Sequence, residues 1–549
     1  MIISPFKAFR WFLSIITAIV WIYTLIYLMS GMEDIKLWYS SNLHDFYQMD
    51  IWRNSIFTPD VKKSGNILSL ILSILMTLTT AYLWRIRDDD NNLRLYLRVS
   101  MWQIAIGFFC LCVWLWYGHH CPYAYDEVFS AYHLAARSPW LSLSYYPLPN
   151  NHILFNLLNS FAGMITDDYL LSGRIVSLIA LMITGWCTFY ILSSVSKNNI
   201  INILLTVLVI SQFPVLGFAT QARGYSMLIT YAALAITGLR TERKYGHYLW
   251  SFSIVSGMAI MPSFLYIWCG LGMAYLFLQR NERSRLIDFI CQNLVTLLMV
   301  WVFYLPALTL SGWKSLFANK YVASTSTGIV DFTSNTEWFP YMDGLLKEWF
   351  GISAPVAISI VMITLMISVI FLHKDVKIRS WWMYMAGMIA GTVLIIFVTM
   401  KLPFYRNLAP LCLLIWIGIT LLLAHLANQA NYLKYVVFGA ASLILFSTHM
   451  RNSRMLPDSL YYYDVRSTAE RYQACVNKNI IDASYNITLH ENAFYWYSIL
   501  PKEKCHFQTS KTPWSGDIYM APSDVKEADV RTTLLWECEG YKCYKMGGK

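Results

Sequence analysis

Apolar runs of about twenty residues recur along almost the whole of this chain, and that pattern leaves few folds open. In hydrocarbon every backbone N–H and C=O must find its partner inside the structure, so a spanning segment is a helix or part of a closed barrel, and a helix needs roughly 20 apolar residues. Runs of helical length fall near 11–30, 66–84, 99–117, 171–193, 200–218, 225–239, 248–261, 263–279, 288–308, 352–372, 381–400, 407–424 and 434–449. Of the 549 residues 57% are hydrophobic and 13% charged, against about 25% charged in a soluble domain. The chain reads as an all-α polytopic membrane protein with about thirteen transmembrane helices. Proline near the ends of some runs, at Pro214, Pro262 and Pro410, blurs their limits.

Cationic loops stay in the cytoplasm, and here they alternate. Lys7 and Arg10, the arginines from Arg85 to Arg98, Lys197, Arg240 to Lys244, Arg280 to Arg285, Lys374 to Arg379 and Lys434 all fall on one side. This predicts a cytoplasmic N-terminus. Residues 126–168, 221–225, 311–350, 401–406 and the tail from His449 then share the opposite face. The net charge of +10, the 22 Trp and the 37 Tyr fit orientation and headgroup contact. No basic module with interleaved aromatics is present, so nucleic acid is excluded as a partner.

Four zones follow: a two-span N-terminal extension over 1–98, a seven-span block over 99–310, an external lid loop with four further spans over 311–449, and an extracytoplasmic α/β domain over 450–549. In the tail the patterning predicts a helix over Asp464–Asn477, strands over Asn486–His490 and Ser515–Met520, and a hairpin from Leu534 to Met546 turned at Glu539-Gly540. Its cysteines, Cys475, Cys505, Cys538 and Cys543, suit two bridges in an oxidising compartment, with Cys538–Cys543 and Cys475–Cys505 the expected pairing. Between Asp126 and Asp168, Val128–Ala136 and Ile153–Ile165 have helical apolar spacing but are too short to cross, which predicts two helices lying on the membrane surface.

The most informative local feature is Tyr125-Asp126-Glu127, just beyond the run that ends at Tyr117. A carboxylate pair where a helix leaves the bilayer can meet a water-borne and a lipid-borne substrate together. Further along lie Pro149-Asn150-Asn151-His152 opening a surface helix, Asp167-Asp168, Leu171-Ser172-Gly173-Arg174, and Gln221-Ala222-Arg223-Gly224-Tyr225. Lys401-Leu402-Pro403-Phe404-Tyr405-Arg406 occupies the matching rim of a later hairpin. Asp168 reads as a helix cap, and Arg174, in an apolar run, needs a carboxylate, with Asp167 or Asp126 the expected partner.

In their order and common side these segments, over about residues 99–425, resemble the C-type glycosyltransferase superfamily. Within it they look most like bacterial relatives of protein mannosyltransferases and of the aminoarabinose transferase that modifies lipid A. The resemblance implies inverting transfer of a sugar from a polyprenyl-phosphate carrier to an acceptor on the outer face. Asp126 matches the base that takes the acceptor proton, a role worth about 10² to 10⁴ in rate, and Glu127 would orient a substrate or a cation. Arg223, Arg406 and Lys401, with Tyr225 and His152, would hold the donor phosphate. Tyr125, Asn150, Asn151 and Tyr405 would meet sugar or acceptor. The resemblance brings in no certain cofactor, and a divalent cation is not indicated. Pro149-Asn150-Asn151-His152 departs from the commoner arrangement, so sugar specificity stays open. The expected partners are a polyprenyl-phosphate-linked sugar, membrane lipid, and an acceptor that is a glycan such as an O-antigen, a glycolipid or a protein hydroxyl. A glycan polymerase or ligase would carry arginines in the external loop, and 311–350 has none. A flippase would carry charges at the bilayer midplane rather than at one rim.

Overall fold

The computed structural model of the protein describes residues 5–41, 52–85, 100–121, 124–146, 151–241, 244–317, 328–372 and 375–458, and the strand segments 486–490, 506–510, 518–522, 532–538 and 541–546. All thirteen apolar runs lie in helices. Among the described residues eight helices are long and apolar enough to cross a membrane, ten if each of two bent pairs is one span. Tyr225–Arg240, Lys244–Ile260 and Leu265–Leu278, at 16, 17 and 14 residues, are shorter than that standard. Proline explains the breaks. Pro214 sits in the first turn of Phe213–Ala219, which bends 74° from Asn199–Ile210, and Pro262 opens the 3₁₀ turn that separates Lys244–Ile260 from Leu265–Leu278. The second bent pair is Trp338–Phe350 with Ala354–Ile367, at 67°, where Gly351 takes the left-handed conformation that ends a helix.

Burial sorts the helices by position. Ala409–Gln429 and Tyr169–Ser193 are enclosed by neighbours along most of their length, whereas Pro5–Met29 turns Ile15, Ile19, Ile22 and Ile26 outward, as a lipid-facing helix does. That first helix packs on Pro59–Arg85, and both are tied to Arg283–Phe317. Thr24 Oγ1 lies 2.8 Å from Ser73 Oγ, and the Tyr27 hydroxyl donates to the Thr309 carbonyl at 2.9 Å. Trp52, fully buried, donates Nε1–H to the Leu310 carbonyl at 2.9 Å and stacks on Phe57 at 5.1 Å. Arg283–Phe317 bends at Gly312, whose φ of 77° and close neighbour Val61, 2.9 Å from where a Cβ would stand, leave room only for glycine.

The surface segment follows the expected pattern with one addition. Tyr125–Ser130 runs into a π-helical turn, Ala131–Ala135, and the short helix Pro139–Ser144 precedes Ile153–Thr166. Ile153–Thr166 is amphipathic the reverse of a soluble helix: Asn156, Asn159 and Ser160 are buried while Leu158, Phe161, Met164 and Ile165 are exposed. A lipid-facing exterior and a hydrogen-bonded interior produce that pattern.

In the tail β1 (Asn486–His490), β2 (His506–Ser510), β3 (Ile518–Pro522), β4 (Thr532–Cys538) and β5 (Tyr541–Met546) form one sheet in the order β2-β1-β3-β5-β4. β1 is parallel to β2 and β3, and β5 is antiparallel to β3 and β4. The expected first strand and hairpin are β1 and β4–β5, whereas β2 is a strand the sequence did not announce. The expected helix 464–477, Cys475 and Cys505 lie outside the described residues. In the hairpin Cys538 stands opposite Tyr541 and Cys543 opposite Trp536; the side chains of both cysteines, and with them the expected bridge, lie outside the described residues.

Trp52→Ala removes both the hydrogen bond and the ring that fix the N-terminal helices. Thermal unfolding in detergent is expected to show a loss of about 3–5 kcal/mol.

Candidate functional site

The helix Met101–His120 starts at a Ser100–Gln103 capping box and ends at Cys121. Three residues later Ala124 caps Tyr125–Ser130, so Asp126 and Glu127 fall in its first turn, where helix-end N–H groups favour carboxylates. Their side chains do different things. Glu127 is fully buried. It accepts the Ala124 N–H at 2.7 Å and the Ala222 N–H at 2.5 Å, and its Oε1 pairs with Arg174 Nε at 3.2 Å. Arg174 Nη1 donates to the carbonyls of Gly118 at 3.1 Å and Cys121 at 2.9 Å. The cation that Glu127 orients is therefore one of the protein's own, and its oxygens are taken up by the fold. Arg174 pairs with Glu127 rather than with the expected Asp167 or Asp126, because one turn inside its helix it lies level with the end of Met101–His120. Asp168 caps Tyr169–Ser193, accepting from Leu170 N at 2.9 Å and Leu171 N at 3.0 Å.

Asp126 is the carboxylate on the open side, its side chain 31% exposed. Oδ2 lies 3.4 Å from Arg223 Nη2 and 4.0 Å from Arg406 Nη1. Arg223 is buried and donates Nη1–H to the Asp126 carbonyl at 3.1 Å and Nη2–H to the Tyr225 hydroxyl at 3.3 Å. The Tyr225 ring lies beneath both guanidiniums, 5.4 Å from that of Arg223 and 5.5 Å from that of Arg406. Burial alone would lower the Arg223 pKa; Asp126, then Tyr225, outweigh it and leave it above its ordinary value.

His152 completes the cluster. It is buried edge-on to Tyr225 at 4.8 Å, and its Nδ1 accepts the Gly224 N–H at 2.9 Å. A Cβ on residue 224 would lie 2.5 Å from that nitrogen, so the contact requires glycine. With Nδ1 accepting, a neutral ring carries its proton on Nε2, which lies 3.3 Å from Arg223 Nη2. Burial, then the charges of Arg223 and Arg406, hold this imidazole well below its ordinary pKa of 6.5.

The remaining expected residues divide. Tyr405 is half-buried and meets Tyr341 edge-to-face at 5.0 Å. Lys401 stands on the adjoining turn after Met400, a left-handed residue with φ of 48°. Asn151 is buried, donates to the Ser142 and Tyr145 carbonyls at 2.9 and 2.6 Å, and accepts from Asn156 at 2.9 Å. Asn150 and the Tyr125 side chain lie outside the described residues. Sequence reasoning missed Ser130, whose Oγ accepts from Arg223 at 3.4 Å, and Glu348, near Arg406. Only the helical spacing of Tyr341, Gly344 and Glu348 could have pointed to the latter. The cluster shares no residue with the apolar cavity lined by Leu68, Leu72, Trp301 and Trp313.

What these residues make is a membrane-rim site: one partly open carboxylate facing two guanidiniums, over an aromatic floor, with a neutral imidazole beside it. A crystal structure of ArnT from Cupriavidus metallidurans in the apo state superposes with a TM-score of 0.55 at 8% identity, over 82% of this chain and 99% of that one. A second, of the same protein bound to undecaprenyl phosphate, gives 0.51 at 9% identity, over 82% and 100%. No family model matches the chain, and no curated protein matches it in sequence. The chain is thus a multi-pass membrane protein that shares its fold with ArnT.

Arg174→Ala leaves the Glu127 carboxylate buried without its countercharge. The expected cost is about 3–5 kcal/mol in detergent unfolding, with part of it recovered on adding Glu127→Gln. His152 gives a pH dependence of definite sign. In the unfolded chain its imidazole takes up a proton near 6.5, while in the folded protein it does so only at lower pH. Its share of stability is intact above that value and lost as pH falls below it, by up to about 1.4 kcal/mol per pH unit. Unfolding temperatures at pH 7.5 and 5.5 are expected to differ less in His152→Gln than in the wild type.

Proposed function

We propose that the protein is an inverting glycosyltransferase that moves a sugar from a polyprenyl-phosphate carrier to an acceptor hydroxyl on the periplasmic face of a bacterial inner membrane. The observation that carries this reading is the Arg223–Asp126–Arg406 cluster at the rim of a fold shared with ArnT, a protein seen with undecaprenyl phosphate bound. Among Arg223, Arg406 and Asp126 themselves one positive charge is in excess, since Glu127 and Arg174 balance each other. That excess suits a phosphodiester that gains a second negative charge as its bond to the sugar breaks.

The chemistry then divides by residue. Arg223 and Arg406 hold the phosphate, and Tyr225 keeps both guanidinium planes in place. The acceptor oxygen attacks the anomeric carbon from the face opposite the phosphate, the bond from that carbon to the phosphate oxygen breaks, and Asp126 takes the hydroxyl proton. The polyprenyl phosphate leaves as an anion. Neutral His152, with Nε2–H toward the guanidiniums, donates to a phosphate or sugar oxygen without adding charge. The preferred acceptor is a surface glycan or glycolipid, with a protein hydroxyl second.

Asp126→Asn keeps the shape and removes the base. It is expected to bind undecaprenyl phosphate as the wild type does while transfer falls by about 10² to 10⁴. Transfer of radiolabelled sugar by purified protein reads this out, and wild-type rates in Asp126→Asn would overturn the mechanism.

A further inference from the structure

Glu348 has no role so far. It lies in the last turn of Trp338–Phe350, where the negative end of the helix dipole disfavours a carboxylate. Lys347, the neighbouring residue, is the charge the dipole prefers, and it is taken by Asp343, with which it forms an ion pair at 2.5 Å. Glu348 is half-buried and makes no hydrogen bond or ion pair with any described residue. A carboxyl so placed is costly to the fold unless something else meets it.

Its direction follows from helical spacing. Positions 341, 344, 345 and 348 share one helix face. Tyr341 meets the Tyr405 ring and donates its hydroxyl to the Pro403 carbonyl at 2.7 Å, and a Cβ on Gly344 would run into the Tyr405 hydroxyl. This face therefore packs on the segment that carries Arg406, and Glu348 lies in the field of that guanidinium. Arg406 in turn reaches Asp126. Arg406 thus has Asp126 at 4.0 Å and acts on the Glu348 carboxyl as well.

We infer that Glu348 is a substrate-binding residue, whose carboxyl takes a sugar-type hydroxyl near Arg406 and so sets which ring, or which acceptor, is accepted. The inference rests on the proposed transferase reading and deepens it. A carboxyl suits a hydroxyl because it can accept two hydrogen bonds from vicinal groups, and a site built to bond a hydroxyl rejects ligands that lack it. The same chemistry serves a hydroxyl of the donor sugar or of the acceptor, and the experiment separates them.

Purified full-length protein is titrated with undecaprenyl phosphate and with undecaprenyl phosphate carrying one hexose or one pentose, for the wild type, Glu348→Gln and Glu348→Asp. Transfer is followed with acceptor varied. If the hydroxyl belongs to the donor, the affinity that the sugar adds over bare lipid falls about tenfold in Glu348→Gln while bare-lipid binding is unchanged. If it belongs to the acceptor, donor affinities hold and the acceptor KM rises about tenfold. Glu348→Asp, which keeps the carboxyl, recovers part of either loss, which a purely structural role would not allow, and it stands in should Glu348→Gln fail to fold. Unchanged donor affinity and unchanged acceptor KM in both variants overturn the inference. A wild type that binds none of the three lipids overturns the transferase reading instead, a result distinct from any loss confined to the Glu348 variants.

Discussion

The site depends on one buried ion pair. Glu127 and Arg174 join the end of Met101–His120, the start of Tyr125–Ser130 and the turn at Ala222 through six oxygen and nitrogen contacts among the described residues, most of them buried. A pair of this kind adds little net stability, because desolvation offsets most of the Coulombic attraction, but it tolerates no other arrangement of the groups around it. Each anchored residue has a neighbour that faces the rim: Asp126 beside Glu127, and Arg223 beside Ala222. Position is thus set by one residue and chemistry offered by the next.

The charges at that rim follow from the same economy. Arg223 is buried and has the Asp126 carboxylate, the Tyr225 hydroxyl and a π face around it, so its guanidinium stays charged and fixed in direction. His152, between two cations, stays neutral. A protonated imidazole there would add a third positive charge to a space that holds one carboxylate. The requirement for glycine at 224 belongs to this arrangement, because the N–H that fixes the tautomer must come within 2.9 Å of the ring.

Much of the fold was legible because spanning helices are long and apolar, a signal that does not depend on tertiary contacts. Proline at 214 and 262 told where the runs would break, though not that the break after Ile210 would turn the chain by 74°. Asp126, Arg223, Arg406, Tyr225 and His152 could be named from their motifs, and they meet in space. The partner of Arg174 could not, since Glu127 and Asp126 are adjacent in sequence and only the helix phase decides which points inward. Asn151 reads as polar and available but is used up by backbone carbonyls, and Glu348 sits in a segment whose nearness to Arg406 exists only after folding. The strand His506–Ser510, mostly polar, gave no alternation to read.

The helix Ile153–Thr166 carries His152 at its N-terminal end and turns Phe161, Met164 and Ile165 outward. Its inner side is tied to the next helix, where Asn159 donates to the Tyr169 carbonyl at 2.9 Å and accepts from the Ser172 hydroxyl at 2.5 Å, so that the outward side alone is left for lipid. A surrounding membrane would in this sense wall one side of the helix that carries His152, and a detergent micelle would replace that wall with a softer one.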